Sequence, residues 1–220
     1  MPPTPPTSAA PRYFSAALLL MAIAVALLIF GLLAEDIVER EAIAFDVPIL
    51  LWLRARATAP LDLLMKVVTW LGSVWVVLPA IAAGAWRLRR ARVRMVYWIA
   101  ANGGAALINV LCKHGFQRLR PQFWDPLVHE STFSFPSGHA MQSMALLASL
   151  VVLLAPARRP SVIAIGGVWV AAVGVSRLYL GVHYPSDILA GWCASIAWCT
   201  GLAMLMRCQS GVRSEWSAWR

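Results

Sequence analysis

Three groups of residues in this 220-residue chain have types and spacing that could do chemistry: Lys113 with Arg120-Pro121, the run Pro136-Ser137-Gly138-His139, and Ser176-Arg177 with His183 and Asp187. Lys113, Arg120 and Arg177 are three cations, and a multiply charged anion is what would hold them together. Phosphate fits. Ser137-Gly138-His139 directly precedes an apolar run, so this turn would offer free backbone N–H groups and the positive end of a helix dipole to the same anion. Gly138 lets backbone approach closely. His183 and Asp187 are four apart at the start of a helix, hence on one face. The carboxylate can accept from one imidazole nitrogen and leave the other free as a nucleophile toward phosphorus. His139 could then protonate the leaving alkoxide while the cations offset charge on the equatorial oxygens. Such chemistry needs no metal, and the sequence has no carboxylate cluster or His/Cys set to hold one.

Each group also has a plainer reading. Lys113 and Arg120 alone read as cations snorkelling at the end of a membrane helix. Pro136-Ser137-Gly138 reads as an ordinary helix start, and His183 with Asp187 as a structural i,i+4 pair. The conjunction favours chemistry, provided that the chain brings all three groups to one face of one membrane.

The elements that must do this are apolar. The chain is 60% hydrophobic and 13% charged, with a mean hydropathy of +0.69, whereas a water-soluble domain carries about 25% charged residues. That excludes a soluble enzyme, a disordered chain and a secreted disulfide-rich one. The net charge of +9 is spread over short basic clusters between apolar runs, which orients a membrane protein rather than binding nucleic acid. A bilayer crossing needs about 20 apolar residues, and six such runs occur, at 13–34, 61–86, 95–112, 139–155, 162–180 and 188–206. The first is too long for a signal-peptide core and lacks a cleavage pattern, so it is expected in the mature protein. With the N-terminus inside, loops on that side hold eleven basic residues, Arg87, Arg89, Arg90, Arg92 and Arg94 among them, against the single acid Glu215. The other side holds seven basic residues and nine acids. Basic loops stay in the cytoplasm, so both termini are expected there, across an inner membrane, with the three polar groups together on the outer face.

The fold class that follows is all-α: a six-transmembrane-helix bundle with an interfacial helical segment between the first two spans. A disordered cytoplasmic tail at 1–12, one membrane domain at 13–206 and a cytoplasmic C-terminal tail at 207–220 complete the organisation. Residues 35–60 mix charge with Phe45, Ile49, Trp52 and Leu53, as an interfacial helix interrupted at Pro48 would. Residues 113–138 follow neither strand nor long-helix periodicity, and a connection of that length is ordinarily functional or disordered. Lys66, within the second span, either contacts substrate or lipid headgroups or snorkels. His114 and His129 read as solvated or structural, and Tyr184 and Pro185 as shaping the start of the sixth helix. Cys112, Cys193, Cys199 and Cys208 have neither CxxC nor metal-ligand spacing and read as small apolar residues or free thiols.

At these positions the chain resembles the type 2 phosphatidic acid phosphatase superfamily of integral membrane lipid phosphatases. The three-part signature, Lys-x6-Arg-Pro, Pro-Ser-Gly-His and Ser-Arg-x5-His-x3-Asp, is matched by Lys113, Arg120 and Pro121, by Pro136 to His139, and by Ser176, Arg177, His183 and Asp187. The resemblance covers about 95–205. It implies His183 as nucleophile forming a phosphohistidine, Asp187 as its partner and His139 as the acid. Lys113, Arg120, Ser137, Gly138 and Arg177 would bind phosphate, with no cofactor and no metal. It implies a membrane lipid phosphate as substrate, reached from the bilayer: phosphatidylglycerol phosphate or phosphatidic acid, with undecaprenyl pyrophosphate close behind. No nucleic acid and no obligate protein partner are expected. Two other classes remain open, a lipid phosphotransferase using the same phosphohistidine and a non-enzymatic anion or lipid transporter.

Overall fold

The computed structural model describes residues 10–208, with side chains over 16–206. The tails expected at 1–12 and 207–220 lie outside these residues except for the helical ends at 10–12 and 207–208. The described residues form eight α-helices and no strand: α1 (Ala10–Glu39), α2 (Asp46–Arg54), α3 (Ala59–Trp70), α4 (Val74–Leu88), α5 (Arg92–Phe116), α6 (Gly138–Leu153), α7 (Arg159–Tyr179) and α8 (Pro185–Cys208). Their burial is the reverse of a water-soluble protein's. Leu20, Met21, Leu27 and Leu28 on α1, Leu63 and Trp75 on α3 and α4, and Ile165 and Val168 on α7 face outward, while Asn102, Ser143, Ser149 and Ser195 are buried. Such helices gain nothing by hiding leucine from lipid, so they associate through small residues and interhelical hydrogen bonds. Around Tyr97 and Met141 the centre is accordingly lined by Ala101, Ala105, Ala145, Cys199 and Ala203. Ser195 Oγ donates to Met141 O at 2.8 Å and Asn102 Nδ2 to Ser149 Oγ at 3.2 Å.

Five stretches are long and apolar enough to cross a membrane: α1, the α3–α4 pair, α5, α7 and α8. The fourth expected span is the shorter α6, whose 16 residues extend only about 24 Å. It sits inside the bundle against α5, α7 and α8. The second expected span is not one helix. It breaks at Leu71–Ser73, where Ser73 starts α4 from an extended backbone. Gly72 at the break lies so close to α7 that a Cβ there would sit 2.5 Å from Val173 Cγ1 and 3.4 Å from His139 Cδ2.

The interfacial segment is helical, but Pro48 does not interrupt it. Pro48 lies in the first turn of α2, where a missing N–H leaves no intrahelical bond unmade. Leu50 of this helix is buried while Ile49, Leu51 and Trp52 are exposed, the two-sided character of a helix at a bilayer surface. Residues 117–137 contain no helix or strand and run between the ends of α5 and α6.

Candidate active site

Four helix ends meet at one end of the bundle. α5 finishes with Lys113 in its last turn and is closed by Gln117 in the left-handed conformation, whose N–H donates to Lys113 O at 3.1 Å. α6 begins after Ser137, whose Oγ accepts from Ala140 N as an N-cap. α7 ends with Arg177 in its last turn. The reversal to α8 passes Gly181, whose φ of +78° favours glycine and whose Cα faces the Trp124 ring. His183 follows, and Pro185 opens α8 with Asp187 in its first turn. Tyr184 N donates to Asp187 Oδ2 at 2.8 Å and Ser137 N to Asp187 O at 3.1 Å, which pins the starts of α6 and α8 together.

These contacts assemble the residues singled out from sequence. His183 and Asp187 are buried, with Nδ1 of His183 3.3 Å from Asp187 Oδ2. Arg120 Nη1 lies 3.1 Å from His183 Nε2 and donates to Val182 O at 2.7 Å. A guanidinium only donates, so Nε2 receives and the ring proton resides on Nδ1, facing the carboxylate. Burial lowers the His183 pKa to about 4, with Arg177 and Arg120 adding to the effect and Asp187 opposing it; the imidazole is neutral near pH 7. Arg177, buried at 2% exposure, donates Nη1 to Thr69 Oγ1 at 2.8 Å and Nη2 to Glu130 Oε1. Lys113 Nζ donates to Thr132 Oγ1 at 2.9 Å and to Phe133 O at 2.5 Å. His139 feels the charges of Arg177, Glu130 and Lys113, and its ring lies against the backbone at Gly72.

Ser137 and Gly138 occupy the α6 start. Gly138 has room for a Cβ only 3.2 Å from Asn109 Oδ1, and Asn109 Nδ2 donates to Pro136 O at 2.9 Å. Ser176, a signature position, turns its hydroxyl back to Val173 O and stays within its own helix. Lys66, His114 and His129 are exposed. Cys193 and Cys199 are buried free thiols and Cys112 a half-buried one. Among the described residues no three His, Cys, Asp or Glu side chains group as a metal site.

Several side chains at this end were not singled out from sequence. Glu130 places its carboxylate between Arg177 and Arg120, the latter at 3.9 Å. Burial alone would raise its pKa, but Arg177 and then Arg120 hold it below the usual carboxylate range. Ser134 Oγ donates to Asp187 Oδ2. Arg118 bridges Asp187, at 2.6 Å, and Asp46 at the start of α2, at 2.7 Å. None of these has a spacing signal. Glu130 and Ser134 lie in an irregular loop and Asp46 is 141 positions before Asp187.

Fold and cluster together define a multi-pass helical membrane protein with a cation-lined His–Asp pair at one end of its bundle. A model of the PAP2 superfamily matches residues 93–209, more than half of the chain, and the chain belongs to that superfamily. It is similar to phosphatidylglycerophosphatase B of Bacillus subtilis, 41% identical over 96 residues, which make up 41% of this chain and 47% of that protein. Lipid A 1-phosphatase of Rhizobium johnstonii is 32% identical over 193 residues, 76% of this chain and 75% of that one. A solved neighbour, the transmembrane PAP2 type phosphatidylglycerolphosphate phosphatase from Bacillus subtilis, superposes with a TM-score of 0.70 at 31% identity, covering 83% of this chain and 94% of that one. The chain spans about half the length of the first of these curated relatives, 47%.

Proposed function

We propose that this protein is a lipid phosphate phosphatase that hydrolyses a phosphomonoester or pyrophosphate of a membrane lipid through a phosphohistidine at His183, without a metal ion. The observation that carries this reading is the placement of His183: a buried, neutral ring with its Nδ1 on Asp187 and its Nε2 lone pair on Arg120. An incoming phosphate displaces the Glu130 carboxylate from Arg177 and Arg120. Its oxygens take up those two guanidinium groups, Lys113 and the amides around Ser137 and Gly138 at the α6 start.

His183 Nε2 then attacks phosphorus, and the P–N bond forms as the P–O bond to the lipid breaks. His139, which takes up a proton as the anionic phosphate settles beside it, gives that proton to the departing oxygen. Nδ1 keeps its hydrogen, so the phosphorylated ring is cationic and Asp187 offsets that charge. Water next attacks the phosphohistidine, His139 takes the proton, the P–N bond breaks and inorganic phosphate leaves.

A lipid substrate is supported by the site's position, where outward apolar helix faces give way to charged loops, so that acyl chains stay in the bilayer while the phosphate reaches His183. The names of the relatives support the same class, and a glycerolipid phosphate, phosphatidylglycerol phosphate or phosphatidic acid, is the favoured substrate ahead of undecaprenyl pyrophosphate. The surplus of basic residues at Arg87–Arg94 and in both tails supports an inner-membrane protein with cytoplasmic termini and an outward-facing site.

The test is trapping. Wild-type protein given labelled lipid phosphate in EDTA yields acid-labile, base-stable phosphoprotein and free phosphate, and His183→Ala yields neither. Near-normal turnover by His183→Ala would refute the nucleophile, and loss of wild-type activity in EDTA that magnesium restores would refute the metal-free route.

A further inference from the structure

Asp187 is wholly buried, and its two oxygens are not treated alike. Oδ2 receives His183 Nδ1, Tyr184 N and Ser134 Oγ. Oδ1 receives Arg118 Nη1 at 2.6 Å. A carboxylate withdrawn from water is stable as an anion only with a partner charge, and among the described residues Arg118 is the cation in hydrogen-bond contact with it. Arg118 is itself held on every side. Nη1 also reaches Ser186 Oγ at 2.7 Å, Nη2 reaches Asp46 Oδ2 at 2.7 Å, the guanidinium stacks 4.1 Å from the Tyr184 ring centre, and its carbonyl accepts from Ser134 N at 2.8 Å. Asp46 is locked in turn: Oδ1 accepts from Ser186 N at 2.9 Å and Oδ2 from Ser186 Oγ at 2.6 Å. The first residue of α2 is thus clipped to the first turn of α8, one residue from Asp187.

We propose that Arg118, secured by Asp46, is a positioning residue for the His183–Asp187 pair, and that α2 is thereby part of the catalytic apparatus rather than only a surface helix. This rests on the reading of His183 as nucleophile. The charge balance gives each residue a separate job. Arg118 keeps the Asp187 carboxylate ionised and turned so that Oδ2 meets Nδ1. Taken alone it would also cancel the negative charge that the phosphorylated, cationic imidazole needs. Asp46 restores it, since Asp187, Arg118 and Asp46 together carry a net charge of minus one. Only a planar fork reaches both carboxylates and Ser186 at once, so lysine is a poor substitute. The Arg118 pKa fits this arrangement: burial opposes the charge, yet Asp187 and Asp46 overcome it and raise the value above the ordinary one. The other charged or titratable groups around the pair are Lys113, Arg120, Arg177, Glu130, His139 and Tyr184.

The experiment uses full-length protein in detergent micelles with a short-chain phosphatidic acid, comparing wild type, Arg118→Met, Arg118→Lys, Asp46→Asn and His183→Ala. Removing the group that orients a metal-bound imidazole typically costs about 10–100-fold in affinity or activity, and by analogy a loss of that size is expected in kcat for Arg118→Met, with KM changed by less than about threefold. The acidic limb of the pH profile, set by protonation of the pair, is expected to move upward by about one unit, the usual effect of deleting an adjacent opposite charge. Arg118→Lys recovers only part of kcat, and Asp46→Asn shows a smaller loss of the same kind. A merely structural role lowers activity in proportion to folded protein and leaves the limb in place, and that result overturns the proposal. If Arg118→Met does not fold, Asp46→Asn decides: kcat within twofold of wild type with an unmoved limb overturns it. His183→Ala separates the two readings, because activity in that variant refutes the nucleophile, whereas an inactive His183→Ala beside a normal Arg118→Met refutes only the positioning role.

Discussion

If phosphate must take the place that Glu130 holds between Arg177 and Arg120, then Glu130→Gln should bind phosphate-like anions more tightly. Glutamine keeps the size of the side chain and can still accept one hydrogen bond from Arg177, so neither arginine is left bare, but the competing charge is gone. The Arg120 contact is 3.9 Å long, and a unit pair at such a distance is worth at most about 4 kcal/mol near a protein surface. Hydrogen bonds to charged groups contribute about 1.5–3 kcal/mol net. Glu130 is 28% exposed, so water already offers its carboxylate an alternative, and a gain of about 1–2 kcal/mol is the appropriate figure. That corresponds to binding about 5–30-fold tighter.

Orthovanadate, which can adopt the five-coordinate geometry of phosphorus in flight, is a suitable probe. Its inhibition constant is measured in wild type and Glu130→Gln at one ionic strength, since screening acts on the same charges. A constant that is unchanged or weaker in Glu130→Gln would show that the carboxylate and the phosphate do not compete for the same guanidinium groups. The displacement step would then be wrong even if His183 remained the nucleophile.

Two further outcomes follow from local features. Because burial holds the His183 pKa at about 4 against an ordinary 6.5, the proposed nucleophile stays neutral on acidification, and kcat/KM should show no loss from this group between pH 7 and 5. The same shift has a defined effect on stability: the unfolded chain takes up its proton first as pH falls below 6.5, so this residue's contribution is whole above that value and gone by about pH 4. Thermal unfolding in detergent that is flat from pH 7 to 4 would contradict it. Gly181→Ala places a Cβ 2.5 Å from Trp124 Nε1 at a φ of +78°, and the left-handed backbone alone costs about 1–2 kcal/mol. Lower thermal stability together with reduced kcat is expected, because the turn that Gly181 makes leads directly into His183; wild-type values for both would refute the reasoning.

Most of the fold is legible in the sequence because a bilayer imposes a length and an apolarity on every crossing, and both are local properties of the chain. Where fold and expectation differ, the cause is mostly contact with a distant element. The second span breaks at Gly72 because that backbone is pressed against Val173 of α7 and the ring of His139, and no periodicity within 61–86 announces it. α1 continues through Glu35 and Asp36 to Glu39 because charge ends a lipid-facing run but does not end a helix that emerges into the headgroups. Pro48 reads as an interruption by residue type, yet its place in a first turn makes it harmless. The candidate site divides in the same way. Lys113, Arg120, His139, Arg177, His183 and Asp187 can be named from spacing, since each but Arg120 lies at a helix end or turn whose position hydropathy already suggests, and Arg120 follows Lys113 at a fixed interval.

The residues that spacing misses are, with few exceptions, those that neutralise or orient the ones it finds, and there is a physical reason for the asymmetry. A group that touches a transferring phosphate must have one particular chemistry at one place in the chain, and that leaves a short pattern. A counterion need only deliver charge to a point in space, from any segment that passes there: Glu130 comes from an irregular loop, and Asp46 from the first turn of an interfacial helix. Charge balance nevertheless constrains such counterions in kind, though not in position. Three cations converging at the edge of a low-dielectric bundle cannot stand unpaired while substrate is absent, and a buried Asp187 cannot remain an anion without a cation of its own. The side of the chain expected to face outward carries nine acids. At least one must face the cations and another must help to secure whatever pairs with Asp187, which are the positions that Glu130 and Asp46 take up.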